Sequence, residues 1–214
     1  GLLALIVADA GRRDEARQLF GATIDSLRRV LELAPDGFES RLNLAGALAN
    51  FASYELAAGE LAAARPLLVE AVELAQRAHD EQPVDPHAAA TVHNAVWFLG
   101  QVCARQGDHQ ELAAVAEQLA KLRPGEARTQ RIAGALLAEA CLALRADPTL
   151  AADGRDALFT ERAERSLALL RHAAELGCAD HSYLANHAHF AAVRELPAFA
   201  AIVAAMRANA DAAK

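Results

Sequence analysis

The chain has 214 residues, 54% of them hydrophobic but only 5% aromatic, and alanine makes up about a quarter of the total. That much apolar surface excludes a disordered tail, and a chain rich in Ala, Leu, Glu and Arg rather than in Val, Ile, Thr and aromatics excludes a β-sandwich or barrel. A net charge of -7 leaves no basic excess to displace counterions, which excludes a nucleic-acid backbone as partner.

Taken in chain order, apolar residues at helical spacing predict helices over 2–9, 13–33, 38–57, 61–81, 87–106, 109–121 and 126–145. The first of these opens without a cap before Leu2, so the chain reads as part of something longer, cut inside a repeat. Gly1 to Ala8 is apolar but too short to span a bilayer and has no basic flank, and no later run is long enough; no membrane insertion is expected. Pro66 falls early enough in its helix to be tolerated. The stretch 146–159 carries Asp-Pro and Asp-Gly, and is expected to be a surface loop. A helix resumes at about 160–176 with Leu167, Leu170, Ala173 and Ala174 on one face, and Gly177 stops it.

The helices recur at a fixed interval. GRRDEARQLF from Gly11, GELAAARPLL from Gly59 and GDHQELAAVA from Gly107 align, with the glycines 48 residues apart, and Pro35 and Pro83 share that interval. Each glycine lies between two amphipathic stretches and is expected to form a left-handed turn between antiparallel helices. Ala16 and Ala64, each five residues past its glycine, leave room for close helix contact.

Val96, Leu99-Gly100, Cys103, Gly107, Glu111-Leu112, Ala116, Leu119 and Pro124 carry a resemblance to tetratricopeptide repeats. In those repeats a helix bearing Leu-Gly, a Gly turn, a second helix and a closing Pro follow one another. The earlier units are about 14 residues longer than the 34-residue form. The resemblance implies an all-α, right-handed α-solenoid of antiparallel helix pairs. It is expected as a single domain over 1–214: a half repeat at 1–35, repeats at about 36–84, 85–125 and 126–178, and capping helices over 179–214.

The stretch from Arg165 to Met206 resembles the tail that follows many bacterial serine/threonine protein kinases. Leu169-Leu170, Ala173 and Gly177 match its first part; Phe190, Val193-Arg194, Pro197 and Phe199 match its second, with His187-Ala188-His189 where Asp-Pro-Asp is usual. Phe190, Val193, Leu196, Phe199, Ile202, Val203 and Met206 form an apolar stripe suited to sealing the end of a repeat array.

No catalytic signature is present: no Gly-rich phosphate loop, no HExxH, no GxSxG, and no kinase motif. Three scattered cysteines, Cys103, Cys141 and Cys178, read as buried thiols of a cytoplasmic protein rather than as a disulfide framework. His181, His187 and His189 cluster near the end without the paired spacing of a zinc site, so neither metal nor cofactor is expected.

In tetratricopeptide repeats the first helix of each pair lines a concave groove that holds a peptide or partner helix. By position, the resemblance puts Asn50, Ser53, Asn94, Trp97, Gln101, Arg128 and Arg131 on that face. Asn and Gln suit a peptide backbone, Arg a carboxylate, and Trp an apolar anchor. The expected function is a non-catalytic module that binds a protein or peptide, within a larger bacterial signalling protein such as a serine/threonine kinase. The competing expectation is a structural spacer or dimerisation arm.

Overall fold

The computed structural model describes residues 12–213; the expected helix over 2–9 and the turn at Gly11 lie outside them. Among the described residues there are nine α-helices and no strand. They are α1 (Arg13–Leu33), α2 (Phe38–Ala57), α3 (Leu61–Glu81), α4 (Pro86–Gln106), α5 (His109–Leu122), α6 (Ala127–Ala146), α7 (Ala152–Glu175), α8 (His181–Asn186) and α9 (Pro197–Ala212). A 3₁₀ turn over Ala188–Phe190 sits between the last two. The fold is all-α, built in the manner of helical-repeat solenoids: α1 packs on α2, α2 on α3, α5 on α6, and α6 on α7. The chain divides into two compact units, Gly1–Val102 and Cys103–Lys214.

Two turn chemistries join the helices. At the ends of α2, α4 and α7 stand Gly59, Gly107 and Gly177, with φ of 83°, 71° and 89°. In each, the residue after the glycine donates back to a carbonyl five positions earlier: Glu60 to Glu55, Asp108 to Cys103, Cys178 to Ala173. This is the Schellman closure, and its left-handed residue has to lack a Cβ to be unstrained. The ends of α1, α3 and α5 use proline instead. The amides of Gly37, Asp85 and Glu126 each donate to the carbonyl three residues back, across Pro35, Pro83 and Pro124. Proline presets the first central position of such a turn. Asp85 then caps α4 by accepting from the Ala88 amide at 2.7 Å.

In the first unit Phe20 stacks on Phe51 with ring centroids 5.0 Å apart, and Ile24, Leu44, Leu48, Ala49, Ala71 and Ala95 form a buried cluster. Ala16 and Ala64 are fully buried, as close helix contact requires. Pro66 lies on the exposed side of an unbroken α3. Glu55 is almost fully buried, and both nitrogens of the Arg17 fork reach it at 2.7 Å.

In the second unit α6 and α7 cross closely at Gly134, whose carbonyl accepts from the buried Ser166 hydroxyl at 2.7 Å. Ala135, Ala138, Ala163 and Ala173 line the same contact. Phe190, Val193, Phe199, Ile202 and Met206 of the expected terminal stripe are buried there, with Leu196 and Val203 packed at its edge.

The expected loop at 146–159 is corrected. The irregular stretch is only 147–151, because α7 begins at Ala152. Asp147 builds an Asx turn by accepting from the amide and hydroxyl of Thr149, and Arg155 donates to the carbonyls of Asp147 and Leu150. Asp153-Gly154, read as a turn, is the first turn of the helix, where an acidic side chain favours the dipole.

Candidate functional site

The first unit carries a polar hollow of about 200 Å³ between α2 and α4. Gly46, Ala49 and Asn50 line it from α2; His87, Ala90, Thr91, Asn94 and Phe98 line it from α4. Steps of three and four residues put each set on one face of its helix. Gly46, Ala49 and Ala90 keep the walls low, so an extended backbone can come close to the helices. Asn50 and Asn94 are exposed, and their side-chain amides have no partner among the described residues. Each offers one acceptor and two donors, the pattern that a peptide group complements. The Thr91 hydroxyl is already used, donating to the His87 carbonyl at 2.8 Å. Phe98 supplies the apolar part of the wall, and among the described residues no Asp, Glu, Lys or Arg borders the hollow.

The structure thus brings Asn50 and Asn94 together. Ser53 lies one turn further along α2 and donates to the Asn50 carbonyl at 2.9 Å. Trp97 and Gln101 are half-buried on α4, and Trp97 does not line the hollow. Phe98, about 100° further round the helix, is there instead. Arg128 is exposed on α6. Arg131 is half-buried, paired with Asp180 at 2.9 Å and laid over the Tyr183 ring at 4.8 Å, so its guanidinium is engaged inside its own unit. His87, Thr91 and Phe98 were absent from the expected set. Their spacing with Asn94 was the available signal.

Two clusters in the second unit have the residue types of chemistry but a different use. Buried His109 meets Asp147 at 3.0 Å through Nε2 and Arg162 at 2.7 Å through Nδ1. Arginine can only donate, so Nδ1 accepts and the proton sits on Nε2, which donates to Asp147. Neither nitrogen is open to act as a base; the trio latches α5, the 147–151 turn and α7 together. His187 and His189 stack with ring centroids 4.1 Å apart, and His189 Nδ1 lies 2.9 Å from Glu139. Desolvation first, and the neighbouring His189 second, hold His187 below its ordinary pKa. Among the described residues no three His, Cys, Asp or Glu are grouped to hold a metal ion. The three cysteines are buried, and burial pushes the Cys141 thiol up to about 11, away from reactivity.

Among the described residues no helix is long and apolar enough to cross a membrane. A tetratricopeptide-repeat family model matches residues 44–87, which takes in most of α2, all of α3, and the first residues of α4. No curated protein matches the chain.

Proposed function

We propose that the chain is a protein–protein interaction module that holds an extended peptide segment in the hollow between α2 and α4. The observation that carries this reading is the pair of exposed, unpartnered amides, Asn50 and Asn94, facing one hollow with low walls. Its support from likeness is the repeat matched over 44–87, since repeats of this kind serve as interaction surfaces and are typically non-catalytic. Of the other residues assigned to the face, Ser53, Trp97 and Gln101 extend the surface along α2 and α4. Arg128 is available on the second unit and Arg131 is not, being held by Asp180. The resemblance of the Arg165–Met206 stretch to kinase tails supports placing the module in a larger bacterial signalling protein.

Selection of random peptides by phage display against the whole chain, followed by affinity measurement, tests the reading. Each lost amide removes one or two neutral hydrogen bonds, so Asn50→Ala with Asn94→Ala weakens the selected peptides about ten-fold or more. Unchanged affinity in the double variant rejects the hollow as the site. A stable dimer in light scattering, with no peptide selected, favours the dimerisation arm instead.

A further inference from the structure

A second cavity, of about 410 Å³, opens on the first unit between α1 and α3, over α2. It is separate from the hollow just described: Arg41 borders the one and Asn50 the other, and nine residues of helix put them about half a turn apart. Leu31, Leu44 and Leu74 make an apolar floor. Three guanidiniums, those of Arg28, Arg41 and Arg77, stand on the rim against two carboxylates, Glu32 and Glu70.

The rim charges are not equally engaged. Arg28 is paired with Glu70 at 2.6 Å across the cleft. Arg41 is held by Glu81 and by the Pro35 carbonyl. Arg77 is exposed and has no hydrogen-bond or ion-pair partner among the described residues, and the same is true of Glu32 on the α1 wall. An open guanidinium beside a leucine floor suits an apolar side chain next to a carboxylate. Glu32 narrows the choice further. Its carboxylate accepts a backbone N–H, which a peptide carries and a plain carboxylic acid such as a fatty acid lacks, so the two open charges together suit a peptide whose acidic side chain meets Arg77.

We propose that this cleft is a second docking site, for a protein segment that presents a bulky apolar residue next to Asp or Glu. The site stands apart from the groove between α2 and α4 and does not depend on it. The test is a ¹H–¹⁵N titration of the whole ¹⁵N-labelled chain with N-acetyl-Leu-Glu-amide, alongside N-acetyl-Leu-Gln-amide and sodium acetate. The Glu probe is expected to shift the amides of Leu31, Leu44 and Leu74 and the Arg77 Nε–H, and to bind about ten-fold more tightly than the Gln probe. Arg77→Gln, at an exposed position, abolishes that preference; Arg77→Lys keeps part of it; the Asn50 and Asn94 variants leave it intact. Equal binding of both dipeptides, equal shifts from acetate alone, or shifts confined to the α2–α4 hollow overturn the proposal. So does a dimer in light scattering that Arg77→Glu disperses, because the cleft is then filled by a second copy.

Discussion

Gly134 shows how much one hydrogen atom in place of a methyl decides. A Cβ built there would lie 2.8 Å from Leu170 Cγ and 3.2 Å from the Ser166 carbonyl oxygen. Leu170 is fully buried and the carbonyl belongs to a helix, so neither can give way without shifting the crossing. Alanine is the better helix former by about 1 kcal/mol, but overpacking a tight crossing costs about 1–3 kcal/mol. Gly134→Ala is therefore expected to destabilise the second unit by up to about 2 kcal/mol. Urea unfolding followed by thiol exposure measures it, since all three cysteines lie in that unit and are buried. An unchanged or raised midpoint would show that the two helices have room to part.

Among the elements, the short turn between α6 and α7 carries the clearest pH dependence. The Thr149 hydroxyl and amide, and then His109, hold the Asp147 carboxyl below its ordinary value of 3.8. A depressed carboxylate stabilises the fold fully above the unfolded value and loses that contribution as pH falls through the folded one. The stability gap between the parent chain and Asp147→Asn should thus be constant at neutral pH and close progressively below about pH 4. Acid unfolding monitored by circular dichroism checks this; a gap that persists to pH 2 would show that the carboxylate charge is not what separates the two side chains. The same element explains why the turn dipeptides over 146–159 do not make a loop of the whole stretch. Asp-Gly signals a turn only when nothing downstream captures it, and here Ala163, Leu167 and Leu170 bury the helix that follows. The glycines that end α2, α4 and α7 were legible in advance because a left-handed residue restricts the choice of side chain locally.

At the scale of the whole molecule, each unit draws its core from neighbouring helices, and the terminal segment supplies the large side chains Phe190, Phe199, Ile202 and Met206 to the second. Phe190 is fully buried, edge-on to Tyr183 and 5.8 Å from the Phe199 ring. Phe190→Ala should cost about 3–5 kcal/mol and expose the thiols at correspondingly lower urea. A cost below about 1 kcal/mol would mean that α9 holds without it. The apolar stripe was readable where it falls on α9, because a helix that must dock carries residues such as Phe199, Ile202 and Met206 at helical spacing. Phe190 and Val193 lie before that helix, in the 3₁₀ turn and the turn that follows it.

The candidate site divides along the same line. Helix content and the glycine turns that end helices follow from local rules of dihedral angle and periodicity, so the sequence alone determined them, whereas the face given to Asn50 and Asn94 came only from the resemblance. The sequence could not determine that Phe98 rather than Trp97 borders the hollow, that Asp180 and Tyr183 occupy Arg131, or that Arg28 and Glu70 pair across a cleft while Arg77 stays open. Those outcomes depend on the rotation of one helix against another and on partners some fifty residues away. Only the packed structure settles which side chain fills a given gap.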